Sequence, residues 1–70
     1  MKPEETYTVV FDTKDGGITP AIPMKDESDN SFELAWLYAE QALGLELAID
    51  TGTGFPLFVY YRGEEEVGGG

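Results

Sequence analysis

The chain has 70 residues with no cysteine and no histidine, which excludes disulfide staples, cysteine- or histidine-ligated zinc sites, and serine or cysteine triads built on an imidazole. Fourteen Asp and Glu stand against four Lys and Arg, a net charge of −10. That balance argues against direct binding to nucleic acid or an anionic membrane and for a basic protein surface as partner.

No stretch approaches the ~20 apolar residues of a membrane-spanning helix, and no signal-peptide pattern stands at the start, so the expectation is a soluble, cytoplasmic protein without a cofactor. A single domain is expected over residues 6–61, between a flexible N-terminus, residues 1–5, and a flexible acidic and glycine-rich tail, residues 62–70. A core this small lies near the limit for unaided folding, which leaves room for a homodimer.

From Thr6 to Thr13 the sequence alternates, with Tyr7, Val9 and Phe11 on one face and Thr8, Val10 and Asp12 on the other, the period of a half-buried strand. Lys14-Asp15-Gly16-Gly17 is a hairpin turn, and Ile18 to Met24 returns as a second strand with Ile18, Ile22 and Met24 sharing a face. Pro20 and Pro23 each remove a ladder donor and confine that strand to a sheet edge.

Lys25 to Asp29 is a charged crossover into the one clean helix, Asn30 to Gly44. Asn30 is the expected N-cap, with Glu33 completing a capping box, and Gly44 the expected C-terminal stop. At 100° per residue Phe32, Ala35, Trp36, Ala39, Ala42 and Leu43 form the core stripe, Glu33 and Glu40 flank it, and Leu34 and Leu37 point to the far side.

Leu45, Leu47 and Ile49 alternate with Glu46, Ala48 and Asp50 as a third strand, and Phe55 to Tyr61 follows as a fourth. The fourth is apolar on both sides, which places it centrally and leaves Phe58 and Tyr60, with Val10, as an exposed aromatic patch. The expected fold is a two-layer α+β sandwich, ββαββ, with one helix on a four-stranded mixed sheet of order 2-1-4-3 and strands one and four parallel. That arrangement is a reduced β-grasp.

Chemistry-bearing patterns are few. Asp50-Thr51-Gly52 after an apolar strand resembles the active-site loop of aspartic proteases over these residues alone, and the same three types are what a hairpin turn uses. Asp26, Glu27 and Asp29 lack the spacing of a calcium loop and read as a solvated crossover. The tail Arg62-Gly-Glu-Glu-Glu-Val-Gly-Gly-Gly70 resembles the C-terminus of ubiquitin-like modifiers and sulfur carriers, whose terminal glycine carboxylate is activated and transferred. The resemblance would make Gly69 and Gly70 the reactive end.

Size, acidity and the absence of cysteine and histidine fit a different class better. In those respects the chain resembles small phage inhibitors of nucleic-acid enzymes, anti-CRISPR proteins among them, some of which set carboxylates where phosphates would lie. The expectation is a non-enzymatic binding module for a basic host surface, with Asp26, Glu27, Asp29, Glu33 and Glu40 as its charges and Leu34, Leu37, Phe58 and Tyr60 as apolar anchors. The alternative is the carrier.

Overall fold

The computed structural model describes residues 6–69. The expected N-terminal segment, residues 1–5, and Gly70 lie outside them. Strands β1 (Tyr7–Phe11) and β2 (Ile22–Met24) precede helix α1 (Asp29–Leu37), and strands β3 (Phe58–Arg62) and β4 (Glu65–Gly69) follow it. One four-stranded sheet results, of order β2-β1-β3-β4, with every pairing antiparallel.

The β1–β2 hairpin follows from local chemistry. Gly16 takes φ +92 in the turn, and Thr13 N donates to Gly17 O at 2.9 Å. Strand β2 sits on the edge, where Pro23 can be accommodated without interrupting a central ladder. Ile22 and Met24 are buried as expected, but Ile18 is 68% exposed and joins the sheet only through a bridge to Asp12.

The cap of helix α1 falls two residues before the expected one. Ser28 is the N-cap and accepts from Ser31 N. Asp26 decides this start: its Oδ1 accepts from Ser28 N (3.0 Å), Ser28 Oγ (2.6 Å) and Ser31 Oγ (2.6 Å), so the chain is already turned when it reaches Asn30. Phe32, Ala35 and Ala39 are buried on the sheet. After Leu37 the helix widens into a π-helical segment, Tyr38–Ala42. The wider turn rotates later residues off the core stripe, so Ala42 is exposed and Leu43 is left partly uncovered, at 36%. Gly44 then ends the helix at φ +68, a value that suits glycine.

The expected third strand, Leu45 to Asp50, is reduced to two isolated bridges, Thr13 with Leu47 and Ile49 with Pro56. Its backbone closes a triangle instead. Asp12 N donates to Leu57 O (3.0 Å), Leu57 N to Ala48 O (3.0 Å), and Ala48 N to Asp12 O (2.9 Å). The contacts among these three segments are all antiparallel. Three straight strands cannot each oppose the other two, so the segments bend apart and no further strand is added to the sheet.

The same junction corrects the expected sheet. It hands Phe58 to Phe11 in antiparallel register, with Tyr60 opposite Val9 and Arg62 opposite Tyr7. The segment after Gly54 therefore neighbours β1 as expected, but runs the other way. The mixed sheet of order 2-1-4-3 becomes an antiparallel one, and the parallel central pair on which the β-grasp likeness rested is absent among the described residues. Register also fixes the face, because directly opposed residues point to the same side. Phe58 and Tyr60 lie with Val9 and Phe11 against the helix, 4.9 and 5.1 Å from the Phe32 ring between centroids. They are half-buried core members, not an exposed patch. Val59 and Tyr61 share the opposite face with Thr8 and Val10.

The sheet continues past the expected boundary at Tyr61. Gly63, at φ +64, opens a two-residue loop between Arg62 and Glu65, and β4 pairs back along β3 with a bulge at Val67. Gly69 is needed there. A Cβ at that position would stand 2.5 Å from Phe58 O.

Candidate functional site

From Asp26 to Tyr61 the sequence holds seven carboxylates (Asp26, Glu27, Asp29, Glu33, Glu40, Glu46 and Asp50) and no Lys or Arg. Among the described residues the one ion pair is Arg62 with Glu65, at 3.8 Å. The acidic charge of the helix layer is thus left to solvent or to a partner.

Two of these carboxylates tie the crossover into the fold. Asp26 gathers the three donors at the helix start, and the hydroxyls of Ser28 and then Ser31, followed by the Ser28 N–H, hold its pKa down to about 2. Glu27 lies between two strands' tyrosines, accepting from Tyr7 on Oε2 and from Tyr60 on Oε1, each at 2.8 Å. Those hydroxyls lower the Glu27 pKa, and the bonded carboxylate raises both tyrosines. The crossover is in this way tied to β1 and β3.

The other expected charges lie along the helix and the turn after it. Asp29, Glu33 and Glu40 are exposed; the first two stand four residues apart on α1, and Glu40 follows in the π-helical segment. Glu33 and Glu40 line a shallow cleft of about 260 Å³ with Trp36 and Leu37. Leu34 and Leu37 are 58% and 48% exposed, with Tyr38 beside them at 49%. Glu33, Glu40 and Leu37 thus share one flank, and Asp29 lies with Glu33. Leu34 lies on the opposite flank toward β2, and Phe58 and Tyr60 lie beneath the helix.

A groove of about 510 Å³ runs between α1 and β2, lined by Ile22, Met24, Ser31, Leu34 and Tyr38 among others. On the other side of the helix a cleft of about 400 Å³ is lined by Asp29, Phe32, Glu33, Phe55 and Phe58. Its rings are set at angles to one another: Phe32 and Phe58 at 47°, Phe55 and Phe58 at 72°. Trp36 backs Phe55 edge-on at 5.0 Å, and its indole N–H is buried without an acceptor. Sequence reasoning missed this cleft. Helical periodicity assigns Phe32 to the core, while Phe55 arrives from a loop and Phe58 from the face expected to be outward.

The remaining motifs resolve locally. Asp50 Oδ1 accepts from Gly52 N at 2.9 Å and Asp50 O from Gly54 N at 2.7 Å, as a turn requires. Gly69 is paired with Val59 in the sheet; Gly70, the other residue of the carrier alternative, lies outside the described residues. Among the described residues no group of three His, Cys, Asp or Glu is placed to hold a metal ion, and no helix is long and apolar enough to cross a membrane. No family model, curated protein or solved structure matches the chain.

Proposed function

We propose that the chain is a non-enzymatic, acidic protein-binding module whose helix α1 engages a basic surface, in the manner of small phage-type inhibitors that stand in for nucleic acid. The observation that carries this reading is the juxtaposition of exposed Leu37 with Glu33 and Glu40 along α1 and the π-helical turn that follows it. Asp29 stands on the same side and exposed Leu34 on the other flank, and the stretch holds no cation. Carboxylates steer a basic partner and select against acidic ones, while the desolvated leucines supply the binding energy that exposed charge does not. Asp26 and Glu27 add field from the crossover while held by their fold contacts. A host nucleic-acid-binding protein is the partner class such a surface suits.

The test is capture from a cell extract at low and then high salt, followed by competition between this chain and nucleic acid for the captured protein. Binding should weaken steeply with salt, and the Glu33→Lys/Glu40→Lys variant should lose at least tenfold in affinity, since two rim charges each reverse sign. Capture indifferent to salt and to this reversal would defeat the reading.

A further inference from the structure

The cleft lined by Asp29, Phe32, Glu33, Phe55 and Phe58 has a composition that selects its occupant. We propose that it is a cation pocket that receives a lysine side chain of the basic partner, an assignment that rests on the reading above. An anion would meet two carboxylates and no donor side chain. A purely apolar group would fill the aromatic floor but strip water from Asp29 and Glu33 without replacing it. A lysine carries both complements, a four-carbon stem for the phenyl walls and an ammonium for the rim.

Geometry supports the cationic head in two independent ways. Asp29 and Glu33 are four residues apart on α1, so their carboxylates project from adjacent turns toward the same mouth. Like charges at that spacing disfavour a helix, and no Lys or Arg lies within the helix to relieve them; a cation arriving from outside does. Below them, Phe32, Phe55 and Phe58 line the cleft. Phe55 and Phe58 are half-buried, so ring surface is left for a side-chain stem, with buried Phe32 behind it, and an ammonium at the mouth lies near aromatic surface as well as carboxylate. Trp36, edge-on to Phe55 at 5.0 Å, gives the pocket a spectroscopic reporter.

The experiment titrates the intact chain with Nα-acetyl-lysine amide, its neutral counterpart Nα-acetyl-norleucine amide, and Nα-acetyl-arginine amide. Backbone amide shifts and the Trp36 indole N–H signal are followed by NMR. Expected are saturable shifts at Asp29, Phe32, Glu33, Phe55 and Phe58, with the lysine amide bound about tenfold more tightly than the norleucine amide, the size of a partly desolvated cation–π contact. The Asp29→Asn/Glu33→Gln variant should abolish that preference and leave the circular dichroism spectrum unchanged.

Equal binding of lysine and norleucine amides, tighter binding of the arginine amide, or shifts centred on the Leu34–Tyr38 groove would each overturn the assignment. The titration needs no partner protein. Its failure alongside salt-sensitive capture removes the pocket and leaves the basic-partner reading. The converse outcome removes that reading and leaves the pocket.

Discussion

Asp26 shows how one side chain can override a stronger local signal. Asn30 with Glu33 three residues on is a good capping box on paper, yet the helix starts at Asp29 because Asp26 and Ser28 have already supplied the cap. The Asp26 carboxylate holds this cap by accepting from Ser28 and Ser31. Its dependence on pH has a definite sign. The folded pKa lies near 2, below the ordinary 3.8, so the ionised carboxylate stabilises the fold above about pH 4, and that contribution is lost as pH falls toward 2. Asp26→Asn should therefore lower the melting temperature at pH 6 and narrow its difference from the parent chain at pH 2. Thermal melts at the two pH values check this, and an equal deficit at both would assign the effect to packing. None of this was legible from residue type alone, because Asp26 reads equally well as solvated charge in a run of acids.

At the level of elements, what could be read in advance rested on single residues with one meaning. Tyr7, Val9 and Phe11 alternate strictly, Pro23 demands an edge, and Gly44 ends a helix; each stands where expected. Strand β3 could not be oriented in the same way, since Phe55 to Tyr61 is apolar on both sides and a period of two cannot choose between them. Its face is set by the distant contact of Leu57 with Asp12. Strand β4 was hidden for the opposite reason. Glu65-Glu66-Val67-Gly68-Gly69 has weak strand propensity, and its glycines answer to space rather than to flexibility. Gly69→Ala should accordingly detach the end of β4, because the methyl would meet backbone at Phe58 O. Gly68→Ala, whose Cβ meets only the Tyr60 ring edge at 3.4 Å, should be tolerated. A stability loss of ~1–3 kcal/mol for the first and under ~0.5 kcal/mol for the second, read by denaturant melts, is the expected contrast. Equal losses would mean that β4 is not seated as described.

For the molecule as a whole, charge and core were readable and their meeting place was not. Helical spacing put Glu33 and Glu40 at the flank of the core stripe and Leu34 and Leu37 on the far side, with Asp29 in the crossover before them, and the structure leaves all five exposed. The aromatic cleft beside them assembles a helix, a loop and a strand whose face periodicity could not assign. The triangle of Asp12, Ala48 and Leu57 holds these parts in register. Each of its residues is donor to one neighbour and acceptor from the other, so breaking any one bond leaves a polar group stranded among half-buried segments. The three amides should then exchange with deuterium at one common rate, slower than those of the β2 edge, because all three are released by the same opening event. Such a joint would make the β1 end, the post-helix loop and the start of β3 a single cooperative unit, a lock whose three bolts slide together although they are far apart along the chain.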